Sequence, residues 1–437
     1  MTADIPPLDD SALSYRGGQL SFENVPLADV AAAVGTPVYC YSSAVIARNY
    51  RRMAQAFSSK SPRLCYAVKA NSNLAVLRLL SNLGAGAEVV SEGELRKALA
   101  AGMAPDGIVF AGVGKTRREI EFAIQSEILQ FNVESEAELA MIAQAAAGLG
   151  CRAPVALRVN PDVEARTDAR ITTGTQGDKF GIPSSRIESV YQRACGEPSL
   201  DPLGLSVHIG SQITDLGPFR TAYEQLVSLV RALLGKGLPV ARLDLGGGLG
   251  VAYSGESPPG FEEYAALVER TTGELDCELI LEPGRCLVAD AGVLLSRVIL
   301  TKSQQSRSFV VLDAAINDLL RPALYEAHHR IVPVAEQEPG PARGVVDFVG
   351  PVCETTDTFC RDEHAPPLDP DDLVAVLTAG AYGAVMASTY NARPLVPEVL
   401  VRDRDFELIR LRETYEEMLA RDSVPSWLTA RDPMPPS

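Results

Sequence analysis

The chain has 437 residues, a formal net charge of −16 and a pI of about 4.9, an acidity that argues against nucleic acid or an anionic membrane as a partner. Hydrophobic residues make up 46% and charged residues 22%, as in an ordinary two-domain globular protein, and no apolar run approaches the length of a membrane span. The cysteines Cys40, Cys65, Cys151, Cys195, Cys277, Cys286, Cys353 and Cys360 are scattered, and the acidic, proline-containing stretch Met1–Asp10 has neither signal nor transit character. Free thiols in a cytoplasmic protein are therefore expected rather than a disulfide framework.

Residues 1–36 predict one strand, Gln19–Phe22, and a short helix, Leu27–Val34. A regular alternation follows. Strands are expected at Leu64–Val68, Ala87–Val90, Ile108–Phe110, Leu129–Val133, Val155–Val159, Leu205–His208, Arg242–Leu245 and Leu279–Glu282. Helices are expected between them, at Leu74–Leu83, Glu92–Ala101, Arg117–Ser126, Glu136–Leu149, Arg186–Cys195, Phe219–Leu234 and Glu262–Leu275. Eight strands separated by helices predict an α/β fold, a (β/α)8 barrel of the TIM type, over residues 37–285. After Arg285 the segments Val293–Leu300, Phe309–Leu312, Val345–Val349 and Leu373–Thr378 are rich in branched apolar residues, with Pro and Gly breaks between them. They predict a C-terminal all-β domain, residues 286–437, that also takes in residues 1–36 with the N-terminal strand. A late helix, Phe406–Leu419, and a proline-containing tail close the chain.

The active site of such a barrel lies at the C-terminal ends of its strands. Those ends carry Lys69, Ser91, Asn132, Asn160, His208, the run Gly246-Gly247-Gly248, and Glu282-Pro283-Gly284-Arg285. A lysine at the end of a buried strand is costly without a partner. It is either a Schiff-base lysine, its amine freed by desolvation, or a side chain that snorkels past the sheet edge. The glycine run can form an anion-binding nest, or it is a plain tight turn; Arg285 nearby favours phosphate. Two other patterns are decoys. Gly112-Val113-Gly114-Lys115-Thr116 resembles a phosphate loop, but Val109 stands where the motif needs glycine. Cys353, Cys360 and His364 lack a fourth ligand for zinc, and adjacent His328 and His329 would diverge, so no metal is expected.

A lysine, a glycine nest, a carboxylate and an arginine on one rim suggest pyridoxal phosphate. The motifs Tyr66-Ala67-Val68-Lys69-Ala70-Asn71, Arg158-Val159-Asn160-Pro161-Asp162, Lys179-Phe180-Gly181, His208-Ile209-Gly210-Ser211-Gln212, Asn317-Asp318-Leu319-Leu320-Arg321-Pro322, Cys353-Glu354 and Gly380-Ala381-Tyr382-Gly383 add to that rim. In combination they resemble the fold-type III, alanine-racemase-like decarboxylases, most closely the diaminopimelate decarboxylase family, over about residues 17–402.

The resemblance implies pyridoxal 5'-phosphate held covalently by Lys69, stacked on His208, with Glu282 facing the pyridine nitrogen. It implies Ser211, Gly246, Gly247, Gly248, Gly284, Arg285 and Tyr382 as further cofactor contacts. Arg285 and Tyr382 would also approach the substrate, beside Arg321, Tyr325 and Glu354. Lys69, His208 and Cys353 would be catalytic, with Cys353 or Lys69 returning a proton. Arg321 and Tyr325, four apart, would share a helical face, so Arg321 could bind a distal carboxylate bidentately while Glu354 pairs the distal ammonium. The implied reaction is decarboxylation of meso-2,6-diaminopimelate to L-lysine and CO2. The implied assembly is a homodimer with shared sites, in which Cys353 and Glu354 reach the neighbouring barrel. Two positions depart from the family pattern: Glu88 stands in place of aspartate, and Thr355-Thr356 in place of Ser-Gly. Competing readings are a decarboxylase of another basic amino acid or polyamine precursor, and a non-catalytic homologue; the presence of both Lys69 and Cys353 opposes the last.

Overall fold

A computed structural model describes residues 13–57, 61–165, 170, 173–175, 177–304, 307–337 and 344–429. The acidic first ten residues and the proline-containing tail past 429 lie outside the described residues. Eight parallel strands form the barrel: Arg63–Ala67, Gly86–Val89, Ile108–Phe110, Gln130–Val133, Ala153–Asn160, Leu200–Val207, Arg242–Asp244 and Glu278–Leu281. The barrel closes where Ile280 and Leu281 pair with Arg63 and Leu64. Core strands buried on both faces read as continuous apolar runs, which is why the sequence pattern found them. The intervening helices start where a side chain accepts from their own first turn, as Asn73, Ser91, Thr116, Ser135 and Asp215 do. Two strands approach so closely at Gly204 that a Cβ there would lie 1.8 Å from the Arg242 carbonyl oxygen.

The second domain is a β-sheet built on the long strand Gly292–Gln304, which pairs with Arg307–Leu312, Leu373–Val376 and Val38–Ser42. The last of these was not anticipated. Val38–Ser42 stays out of the barrel and also pairs in parallel with Glu398–Arg402. Its alternate residues face two cores: Tyr39 and Tyr41 face the main core, and Val38 and Cys40 a smaller one shared with Leu20, Phe22 and Leu27. The chain enters the barrel through the helix Ser43–Gln55, capped by Ser42, which the sequence pattern also missed. The N-terminal hairpin Leu13–Arg16 and Gln19–Phe22 bonds to the second domain, with the Leu20 N–H donating to the Val334 carbonyl at 2.8 Å.

The expected helix Phe406–Leu419 is corrected. Asp405–Arg410 is a strand that forms a hairpin with Glu398–Arg402, and only Tyr415–Leu419 is helical. The two-residue turn brings a ready partner strand alongside, and that pairing overrides the local helical pattern. Among the described residues no helix is long and apolar enough to cross a membrane.

Candidate active site

The C-terminal ends of the barrel strands open on a cavity of about 860 Å³, walled on its far side by Arg321, Tyr325, His328 and Tyr382 of the second domain. Lys69 enters it from a single turn, Val68–Ala70, directly after the first barrel strand. Its Nζ donates to both oxygens of Glu88, at 3.0 and 2.9 Å, and Glu88 lies on the adjacent strand. Burial pulls the Lys69 pKa down, but Glu88, Tyr382 and Glu282 outweigh it and hold the amine above its ordinary value. The expected desolvated, lowered amine is therefore corrected: a carboxylate one strand away compensates the burial. The second domain is fixed to this turn. The Tyr382 N–H donates to the Ala70 carbonyl at 2.8 Å, and Asn71 Nδ2 to the Gly380 carbonyl at 3.2 Å.

The next two strands, on the side of Lys69 away from Glu88, end in two buried carboxyls, Glu282 and Asp244. Asn132 Nδ2 donates to Asp244 Oδ2 at 2.8 Å and to Glu282 Oε1 at 3.1 Å. Gln130 Nε2 donates to Asn132 Oδ1 at 2.9 Å, which sets the direction of the amide. Burial pushes Asp244 up to about 6; burial, then Asp244 and Glu88, push Glu282 well above the usual carboxylate range. Two acids so close in a dry site favour sharing one proton. His208 accepts at Nδ1 from the Gly247 N–H, 3.2 Å away. Burial, Arg158 and Lys69 hold its pKa well below the ordinary value, so the ring is neutral.

Two guanidinium groups face the remaining wall. Arg285 donates to Tyr253 Oη at 2.6 Å and Ser211 Oγ at 3.2 Å, with the Tyr382 ring 4.7 Å from its Cζ. Arg321 opens the short helix Arg321–Tyr325, lies 4.3 Å from the Tyr253 ring centre and donates to His329 Nε2 at 2.7 Å. The Nε–H of each arginine is buried and has no acceptor among the described residues.

Lys69, His208, Ser211, Gly248, Glu282, Gly284, Arg285, Arg321, Tyr325 and Tyr382 thus line one cavity. Gly246 and Gly247 lie behind it, with their N–H groups bonded to Asp244 Oδ1 and His208 Nδ1. Cys353 and Glu354 are not brought in: both are exposed, and neither lines the cavity. Other rim residues are structural. Ser91 caps the helix Glu92–Ala100, and Asn160 Nδ2 bonds the carbonyls of Thr175 and Phe180. Lys115 of the phosphate-loop decoy is turned inward onto Glu138 and the carbonyls of Gly112 and Asn132. Among the described residues no group of three potential ligands could hold a metal ion. Sequence reasoning missed Asp244, Tyr253 and His329; Asp244 stands two residues before the glycine run, where an acid on a buried strand was a usable signal.

Residues 43–289 match the family model described as the pyridoxal binding domain of pyridoxal-dependent decarboxylases. Diaminopimelate decarboxylase of Zymomonas mobilis is 46% identical over 420 residues, covering 95% of this chain and 99% of the relative. The chain belongs to the diaminopimelate decarboxylase family of pyridoxal-dependent enzymes. The enzyme from Vibrio cholerae is 47% identical over 93% of this chain and 97% of its own. The crystal structure of diaminopimelate decarboxylase from m. jannaschii in co-complex with L-lysine superposes with a TM-score of 0.90 at 37% identity, over 96% of this chain and 99% of that one. That from Helicobacter pylori, complexed with L-lysine, gives 0.87 at 39%, over 90% and 98%.

The residues present fit the family's cofactor, pyridoxal phosphate. The Lys69 amine and the Glu282 carboxyl line the cavity, an Arg285 donor with no acceptor among the described residues adjoins Ser211, and only glycine fits at Gly248, where φ is +111° and a Cβ would lie 2.4 Å from the Gly210 carbonyl oxygen. Lys69 would hold the cofactor, with Ser211, Gly248, Gly284, Arg285 and Tyr382 on its phosphate side and Glu282 at its ring nitrogen.

Proposed function

We propose that this enzyme decarboxylates meso-2,6-diaminopimelate to L-lysine and CO2. The observation that carries the reading is Arg321, a buried guanidinium on the wall of the lysine-bearing cavity with an Nε–H still lacking an acceptor. It offers a planar fork to a second carboxylate. Diaminopimelate has that group at its far end, whereas the basic amino acids ornithine and lysine carry only an ammonium there.

The cofactor, when bound, supplies an electron sink for the pair left behind as the C–CO2 bond breaks. The chain's own residues do the rest. Arg321 and Tyr325 hold the distal carboxylate. Glu282, paired with Asp244 around one proton, would face the ring nitrogen of the cofactor and govern its charge. Neutral His208 packs without adding a cation. Lys69, whose protonated form Glu88 favours, can return a proton to the reacting carbon; Cys353 is the other donor.

Cys353 and Glu354 act across a two-fold homodimer, in the partner's cavity. Their exposed loop, which lines no part of its own chain's cavity, supports this reading. Eight cysteines without a disulfide support a cytoplasmic location. Carbon dioxide release from diaminopimelate, L-lysine and L-ornithine tests the substrate. Rapid release from diaminopimelate alone is expected; equal turnover of ornithine would overturn the assignment. Borohydride should fix the cofactor on Lys69 and on no other lysine.

A further inference from the structure

His329 stands outside every set of residues that the sequence singled out for chemistry. It is fully buried, eight residues past Arg321 and just before the strand Ile331–Pro333. Its Nδ1 lies 2.9 Å from the Leu377 carbonyl oxygen. That oxygen can only accept, so Nδ1 carries the ring proton. Nε2 is then a bare acceptor, 2.7 Å from Nη1 of Arg321. The ring edge also meets Tyr253, with centroids 5.1 Å apart and planes at 74°, and the face of Tyr253 lies against Arg321. Arg321 is therefore oriented by an imidazole nitrogen and an aromatic face. Among the described residues no carboxylate pairs with it.

Resting on the reading that Arg321 receives the distal carboxylate, we propose that His329 is a positioning residue for substrate selectivity: it aims the Arg321 guanidinium with a neutral acceptor, so the full positive charge stays available to the substrate. The choice of acceptor is what matters. A carboxylate in this place would hold the fork at least as firmly. It would also neutralise the charge and compete with the incoming carboxylate. An apolar ring would leave the charge but not the aim. A charged imidazole would turn an N–H towards a cation; burial and Arg321 hold the His329 pKa at about 3, so the ring stays neutral at any working pH.

The test compares His329→Gln, His329→Glu and His329→Phe holoenzymes with the parent and with Arg321→Ala. Gln and Glu have the same shape and differ in charge. Three quantities are read: kcat and KM for diaminopimelate, the calorimetric Kd of L-lysine, and the Kd of 1,5-diaminopentane. L-lysine as product keeps the distal carboxylate, and the diamine has none. His329→Gln should remain within a few-fold of the parent. His329→Glu should weaken L-lysine binding and raise KM by about 100-fold, and His329→Phe by about 10-fold, with KM moving more than kcat. Diamine affinity should not fall in any of them. A purely structural role predicts that Glu, with a buried arginine to pair, does no worse than Gln; equal Gln and Glu values would overturn the proposal. So would parallel losses for L-lysine and the diamine. If Arg321→Ala itself leaves L-lysine affinity intact, the reading of Arg321 is what fails. If Arg321→Ala lowers it and His329→Glu does not, only the role of His329 fails. Should His329→Phe not fold, the Gln and Glu pair still decides.

Discussion

Arg321→Ala is the sharpest perturbation of the site. Arg321 is 4% exposed, one of its Nη1 protons goes to His329, and its Nε–H has no acceptor among the described residues. A carboxylate docked on the fork gains two charge-assisted hydrogen bonds, each of about 1.5–3 kcal/mol. Losing both removes about 3–6 kcal/mol, which is about 10²- to 10⁴-fold in kcat/KM. The folded state changes less, because the main loss is the unpaired His329 Nε2, of about 1–3 kcal/mol, set against removal of a buried charge. The assay is initial-rate CO2 release from diaminopimelate, beside the melting temperature. Arg321→Lys keeps a charge but not the planar fork and should fall between parent and Ala. A loss below about tenfold, or a loss matched by collapse of the melting temperature, would refute the reasoning.

Three further outcomes follow from the geometry. Glu88→Gln removes the main charge that keeps Lys69 protonated, so the apoprotein should capture pyridoxal phosphate faster at neutral pH, read by stopped-flow absorbance; an unchanged or slower rate would count against the ion pair's role. Lys69→Ala and Cys353→Ala homodimers should each be nearly inactive, and co-refolded heterodimers should regain activity because one site has both residues intact; no recovery would rule out shared sites. Burial pushes the Asp318 carboxyl up to about 7, so the folded state binds its proton more tightly than the unfolded chain. Its contribution to stability is complete below the unfolded value of about 4 and is lost as pH rises through about 7. Asp318→Asn should therefore flatten the fall of the melting temperature between pH 5 and 7 relative to the parent; an unaltered slope would show that Asp318 does not titrate there.

All eight barrel strands were legible in the sequence because each is a short apolar run closed by a polar end, and burial on both faces writes that pattern locally. The lysine, the carboxylate at Glu282 and the arginine at Arg285 were legible for the same reason: each interrupts such a run at the rim. The spacing of Arg321 and Tyr325 lets them share a face on a helical turn; the structure supplies that turn, and both residues line the cavity. Tertiary structure alone decided the rest. Val38–Ser42 looks like any buried strand, and only its two partners assign it to the second sheet. Asp405–Arg410 carries a pattern that a helix could also use until Glu398–Arg402 lies beside it. The charge state of Lys69 depends on Glu88, 19 residues away, and the tautomer of His329 on the Leu377 carbonyl, 48 residues away. Periodicity records which face of an element is buried, whereas a pKa or a hydrogen bond depends on which other element is packed against that face.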